Sequence, residues 1–447
     1  MASGARSLDV KFIAILVIVM LFSIIAGFAI TKVPSSLALV GTIAISGVIV
    51  CFVWPPISLY VLIFSMLLSP EFGSRDTQGG GFTIRLDDLI LVLISFSWLA
   101  KSSLYKELGF FPKTPLNRGI TAYVFICLFS TVLGGIFGKI SLGGYMFVLK
   151  YFEYFMVFFM AVNFINTRKQ AKTFLILLLV TCMIVSLYAL SQLPMGGRVS
   201  TPFEGKEGEP GTLGGYLILL MSVSIGVLLT SELKRVKILL TGLILISFIA
   251  LMATQSRATW MGLPIMYLCF IVMSKKRLTL LAILAVIVAV GPFIMPESYK
   301  ERYGGTFKRE AGYTAKVGGT DLALDSSATL RVQSWQGVLK DFKNHPIFGY
   351  GINGYWFIDG QYFRTLAELG LVGTSIFFFM LYQIGRFLLT ANRIATDSLG
   401  KGLTMGLFAV FLALLVHSFG SNTFIVVRIM EPFWFLMGIA VVLYHID

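Results

Sequence analysis

The residues best suited to chemistry are arginines set at the ends of apolar runs. Arg198 stands in Gly196-Gly197-Arg198-Val199, Arg257 in Thr254-Gln255-Ser256-Arg257, and Arg331 opens an amphipathic stretch in the longest polar segment. A guanidinium presents a planar fork of donors that matches phosphate oxygens, and it keeps its charge beside lipid. Three of them together would suit a diphosphate carried on a lipid. Each also has a plainer explanation, as a charge snorkelling at the end of a span or paired with Glu204, Glu207 or Glu209.

Carboxylates form the second group. Glu209 leads Glu209-Pro210-Gly211, Asp87-Asp88 opens one apolar run, and Asp359 and Glu368 flank the start of another. A helix dipole stabilises a carboxylate at the N-terminus, which is enough to explain Asp87 and Asp88. Asp359 precedes an amphipathic stretch holding Tyr362 and Arg364, so it is either a candidate base or an N-cap. Two charge pairs at i,i+3 lie inside apolar runs, Lys150 with Glu153 and Arg428 with Glu431. Charges in a membrane are costly, and this spacing predicts that each pair closes on itself.

The histidines, His345, His417 and His445, make no metal-binding spacing with one another or with Cys51, Cys127, Cys182 and Cys269. No nucleotide-binding loop and no GxSxG elbow is present. No cofactor or metal is expected, and an ATP-driven pump is excluded on this chain.

A membrane bundle must position these residues. Of 447 residues, 57% are hydrophobic and 13% charged, about half the charge of a soluble chain, with a mean hydropathy of +0.85. This excludes a cytosolic enzyme, a disordered chain and a disulfide scaffold. Since roughly 20 apolar residues cross a bilayer, the apolar runs predict an all-α polytopic membrane protein of about 14 transmembrane helices. The runs are 10–31, 36–54, 56–70, 84–101, 118–137, 143–165, 171–192, 213–232, 236–254, 258–274, 278–295, 365–388, 402–420 and 424–444. Helices 1–11 thus occupy residues 1–295, a large outer segment 296–364, and helices 12–14 residues 365–447. Asp325-Ser326-Ser327 signals the start of an amphipathic helix over Ala328–Phe342, with Trp335, Val338, Leu339 and Phe342 on one stripe. The turn His345-Pro346-Ile347-Phe348-Gly349-Tyr350-Gly351 ends it.

The net charge of +14 and pI near 9.6 come mainly from alternate short loops, those holding Arg168, Lys169 and Lys172, Lys234, Arg235 and Lys237, and Lys275, Lys276 and Arg277. By the positive-inside rule these loops and both termini are cytoplasmic, and the long segment faces the opposite side. The charge therefore sets topology and touches anionic lipid, and nucleic-acid binding is not expected.

Several of these motifs in their order resemble the O-antigen ligase/polymerase superfamily of bacterial envelope enzymes. They are Ile84-Arg85-Leu86-Asp87-Asp88-Leu89, Lys150-Tyr151-Phe152-Glu153-Tyr154, Gly197-Arg198-Val199 with Glu209-Pro210-Gly211-Thr212, and Thr254-Gln255-Ser256-Arg257. Leu330-Arg331 with Trp335, the turn at 345–351, and Asp359-Gly360-Gln361-Tyr362-Phe363-Arg364 running on to Gly370 complete the set. The resemblance implies a membrane glycosyltransferase fold in the bacterial inner membrane, acting at the periplasmic face on an undecaprenyl-diphosphate-linked glycan. It implies that Arg198 and Arg257 hold the diphosphate, and it brings Arg331, Glu209, Tyr362 and Arg364 to the substrate.

Ligases of the superfamily typically carry His-Asn where Asp359-Gly360 stands, eleven residues before Gly370. The chain thus looks more like the Wzy-type polymerases, with Asp359 as base for the attacking sugar hydroxyl, and such enzymes look to need a separate chain-length regulator. The expectation is an inverting, metal-independent polysaccharide polymerase. A ligase acting on lipid A core or protein is the near alternative, and a lipid-linked oligosaccharide flippase or a structural envelope component the more distant ones.

Overall fold

The computed structural model describes residues 49–50, 55–72, 84–104, 112–137, 140, 142–202, 208–294, 297–306, 315–317 and 320–446. The first expected span and most of the second lie outside the described residues. Helix α1 (Pro55–Leu68) is followed by the ladder of β1 (Glu71–Phe72) with β2 (Ile84–Arg85) and by α2 (Leu86–Leu104). Then come α3 (Asn117–Ile136), α4 (Leu142–Phe164), α5 (Arg168–Ser191), α6 (Pro210–Thr230), α7 (Lys234–Ala253), α8 (Arg257–Met273) and α9 (Arg277–Ile294). The large segment holds α10 (Glu297–Gly305), the hairpin β3 (Ala315–Val317) with β4 (Thr320–Leu322), and α11 (Ser326–Asp341). The chain closes with α12 (Gln361–Ile394), α13 (Ser398–His417) and α14 (Val427–Ile446).

The fold is all-α and of the polytopic membrane type. Eight described helices, α3 to α7 and α12 to α14, are long and apolar enough to cross a bilayer, while α1, α8 and α9 are shorter apolar helices. Each of the expected spans from the third onward coincides with a helix. Local signals explain several starts. At α5 the Thr167 hydroxyl accepts the Gln170 amide at 3.2 Å and the Gln170 side chain accepts the Thr167 amide, so two orphan donors are satisfied reciprocally. Asp325 caps α11 by accepting the Ala328 amide at 2.9 Å. That helix begins two residues earlier than expected. Its Val338 packs with Ile358 and Ala367 in a small core of its own, and Leu339 of the expected stripe is exposed.

Helices α6 and α14 are buried on nearly every side and form the centre of the bundle. Helix α13 runs antiparallel to α6: Gly402 meets Gly226, Gly406 meets Val223, and His417 lies near Gly215. Lipid gives helices no hydrophobic reason to associate, so close backbone approach through small residues and hydrogen bonds must supply the attraction. The Ser222 hydroxyl donates to the Gly406 carbonyl at 2.7 Å in this contact. On the far side of α14, Trp434 packs edge-on against Phe155 and Phe158 of α4.

The intrahelical charge pairs are corrected by the structure. Lys150 reaches Asp88 on α2 at 3.2 Å. Arg428 donates to the carbonyls of Leu67 and Pro202 at 3.3 and 3.0 Å, and Glu431 approaches Arg85 at 3.9 Å. Arg85 also holds Asp87 at 2.8 Å, and Ser69 donates to Asp87 at 2.6 Å. Neighbouring helices offered a buried charge nearer partners than its own helix did, and one network ties α1, α2, α4 and α14 together. Asp87 and Asp88 are therefore not simply dipole partners at the start of α2.

Helix α12 is broken at Gly370, whose φ of 64° leaves the helical region. The break frees backbone groups on both sides, and the turn after α11 takes them up. The Tyr350 and Gly351 amides donate to the Ala367 and Glu368 carbonyls at 2.9 and 2.8 Å, while the Leu371 and Val372 amides donate to the Pro346 and Ile347 carbonyls at 2.9 and 3.1 Å. Gly349 and Gly351 sit at φ of 69° and 86°, where a side chain is strained. From α3, the Ser130 hydroxyl lies between the Phe348 and Glu368 carbonyls at 2.6 and 2.8 Å. The turn is a wedge that divides α12 into a first half carrying Arg364 and Glu368 and a membrane half beginning at Leu371.

Candidate functional site

The ends of four helices and two connectors meet around a cleft of about 500 Å³. Arg198, Glu209, Arg257, Arg331, Asp359 and Arg364 all line it, so six of the seven expected site residues share one cavity. Tyr362 does not. It turns to α13, where its hydroxyl donates to the Leu415 carbonyl at 2.6 Å and its ring packs on Phe378 and Phe419.

Arg198 follows two glycines at φ of 74° and 85° and leads back toward α7. There its Nε donates to the Thr254 carbonyl at 3.0 Å, and the Val199 amide reaches the Ala253 carbonyl at 3.4 Å. Thr254, Gln255 and Ser256 turn the chain from α7 into α8, with Gln255 at a positive φ of 49° and Ser256 accepting the Thr259 amide at 3.4 Å. Arg257 is thereby the first residue of α8, and Glu209 stands just before Pro210 at the start of α6. Both helix N-termini present partial positive charge to the cleft, which adds to that of the arginines.

Arg257 uses one nitrogen, Nη1, to hold Asp325 Oδ2 at 2.5 Å and the Thr306 hydroxyl at 2.8 Å. The pair is mostly buried, at 15% and 21% exposure of the side chains. Two turns along from the Asp325 cap, Arg331 points Nε and Nη2 at a single oxygen, Asp359 Oδ2, at 2.9 and 2.8 Å. The Trp335 indole donates to the Asp359 carbonyl at 2.9 Å. Asp359 is therefore not the N-cap of α12: that place is taken by Gly360 at φ of 119°, with no side-chain cap. Asp359 has one oxygen fixed by a guanidinium and the other without a donor among the described residues. That suits an acceptor for a substrate hydroxyl.

Arg364 is held by Glu368, Nε to Oε1 at 3.0 Å, and the same oxygen accepts the Asn353 amide at 3.0 Å. Beyond the cleft, burial first and the Asp341 carboxylate second push the Tyr355 hydroxyl up to about 12; it donates to Asp341 Oδ2 at 2.7 Å. No group of three or more histidine, cysteine, aspartate or glutamate side chains that could hold a metal ion occurs among the described residues.

The remaining wall was not foreseen. The connector from α13 to α14 contributes Gly420, Ser421 and Asn422. Buried Gln361 joins it to α12: its amide donates to the Ser418 carbonyl at 2.9 Å and its side-chain oxygen accepts the Phe424 amide at 3.0 Å. Asn422 donates to the Ile358 carbonyl at 2.8 Å. A short Gly-Ser-Asn connector carries no sequence signal of its own; only Gln361, an amide at the head of an apolar helix, hinted at it.

Residues 242–378 match the family described as O-antigen ligase. The matched stretch runs from within α7 to the membrane half of α12 and takes in Arg257, Arg331, Asp359, Arg364 and the wedge; Arg198 and Glu209 precede it. The resemblance to the O-antigen ligase/polymerase superfamily holds over this stretch. No curated protein matches the chain.

Proposed function

From the O-antigen ligase match over residues 242–378, we propose that the protein is a polysaccharide polymerase. It moves a growing glycan from undecaprenyl diphosphate onto a lipid-linked repeat unit. One observation carries this reading: a single cleft gathers four arginines with an aspartate whose second carboxylate oxygen has no protein donor among the described residues.

The chemistry is a displacement at the anomeric carbon. The acceptor hydroxyl gives its proton to Asp359 and its oxygen attacks from the face opposite the diphosphate, so configuration inverts. The bond from the anomeric carbon to the phosphate oxygen breaks, and its electron pair leaves with the lipid diphosphate. Arg198, in the connector from α5 to α6, and Arg257, the first residue of α8, stabilise that developing charge. Arg331 orients Asp359, Arg364 is held in the same cleft by Glu368, and Glu209 stands at the diphosphate end. Arginines rather than a metal ion carry the positive charge in this scheme, and Tyr362 supports α12 from behind.

The cleft belongs to the helix ends opposite the basic turns at Lys234–Lys237 and Lys275–Arg277. In this proposal it opens to the periplasm, with both termini in the cytoplasm of an inner-membrane protein. The large segment 296–364 is then a periplasmic loop, and a separate chain-length regulator completes the system. The family description favours one second reading, a ligase that hands the glycan to another acceptor.

Purified protein in nanodiscs, given a synthetic undecaprenyl-diphosphate repeat unit, should produce a ladder of chain lengths. Arg198→Ala, Arg257→Ala and Asp359→Ala variants that insert normally should not. Full-length polymer from all three would refute the site. Transfer only after addition of lipid A core or a protein acceptor would replace polymerase with ligase.

A further inference from the structure

Every arginine is an asset to an anionic substrate only as far as the chain's own acids leave it available. Arg257 is the clearest case. Its Nη1 is shared by Asp325 Oδ2 at 2.5 Å and Thr306 at 2.8 Å, and its other donors make no hydrogen bond to the described residues. Asp325 reaches Arg257 from 68 residues away and belongs to a different element, the amphipathic helix above the cleft.

We infer that Asp325 is a positioning residue that competes with the lipid diphosphate for Arg257. This rests on the proposed donor and adds to it how tightly the site holds that donor. The two carboxylate oxygens of Asp325 have separate tasks. Oδ1 accepts the Ala328 amide at 2.9 Å and starts α11, while Oδ2 takes Arg257. A mostly buried guanidinium with no counter-charge would be costly, so in the empty site the acid keeps Arg257 in place. The same acid then opposes a second anion at that guanidinium, by occupying Nη1 and by like-charge repulsion across a poorly hydrated space. When the diphosphate takes over, Asp325 stays on α11 through Oδ1 but loses its bond to α8. Substrate binding thereby loosens the helix that carries Arg331, the residue holding Asp359.

The two tasks can be separated by substitution. Asparagine and serine both cap helices well, but neither carries the charge. Removal of a structural residue would weaken ligand binding; removal of a competitor should strengthen it. The full chain in nanodiscs would be titrated with inorganic pyrophosphate and with undecaprenyl diphosphate at fixed ionic strength, by calorimetry.

Arg257→Ala should abolish binding, and Asp325→Asn and Asp325→Ser should each tighten it about tenfold, the scale of one charge-assisted contact between half-buried groups. Two independent capping residues keep the test open if one variant does not insert. If Arg257→Ala loses binding while both Asp325 variants bind as wild type or more weakly, the competition is overturned and the donor proposal stands. If Arg257→Ala binds pyrophosphate as well as wild type does, the donor proposal itself falls, and the competition with it.

Discussion

At the scale of single residues, the site is a set of guanidinium–carboxylate pairs whose unused atoms matter more than their used ones. Arg331 spends two donors on one oxygen of Asp359, and the other oxygen has no donor among the described residues. Asp359→Asn preserves size but cannot accept a proton, so transfer should fall by about 10²–10⁴-fold while binding of the lipid diphosphate persists. Single-turnover kinetics beside a binding titration would separate the two effects, and a variant with normal turnover would remove Asp359 as base. Arg257→Lys makes the complementary test. A lysine can replace Nη1 toward Asp325 and Thr306 but supplies no second arm for phosphate, so its activity should lie near that of alanine.

These residue types were legible in the sequence because arginine and aspartate at the ends of apolar runs are conspicuous. Their pairings were not, because Arg257 and Asp325, 68 residues apart, meet only when the chain is folded. The ambiguity over Asp359 had the same origin. An N-cap and a base look alike in sequence, and only the backbone, with Gly360 in the cap position, removes the first of the two.

At the scale of elements, the broken helix α12 does most to shape the site. A straight helix of 34 residues would measure about 51 Å, well beyond the roughly 30 Å of hydrocarbon in a bilayer. The break at Gly370 lets the first half leave that path and carry Arg364, held by Glu368, to the cleft. Gly370→Ala places a methyl group against the Ile347 carbonyl and the Gly349 amide and adds a positive-φ cost of about 1–2 kcal/mol. It should abolish transfer with insertion intact, measured by the chain-length ladder beside a membrane-fraction blot. Near-normal activity would show that the wedge is dispensable. The sequence displayed the wedge as a turn rich in glycine and proline, but not that its amides and carbonyls would enter another helix. That exchange depends on contacts such as Tyr350 with Ala367, which periodicity does not encode.

At the scale of the whole molecule, span periodicity carried the fold. Every described helix from α1 to α9 and from α12 to α14 matches an apolar run, since bilayer thickness dictates length and backbone satisfaction dictates helix. The partners inside the bundle were beyond that rule. Lys150 and Arg428 found groups on neighbouring helices, and α13 met α6 through Gly402 and Gly406. A Cβ at Gly406 would stand 2.7 Å from the Val223 Cα. Gly406→Leu should separate the two helices and cost about 1–3 kcal/mol, read as a lower melting temperature in detergent. An unchanged melting temperature would deny this contact a part in stability.

The backbone around residue 359 is tied down on all sides without reference to its side chain. Asn422 binds the Ile358 carbonyl, Trp335 the Asp359 carbonyl, and the Gln361 amide the Ser418 carbonyl. Position 359 is in effect a socket, and the group plugged into it can change without refitting its housing. A frame of this kind lets selection exchange a carboxylate for an imidazole there, and so, in the proposed reaction, retune which acceptor hydroxyl is activated, while the arginines across the cleft stay as they are.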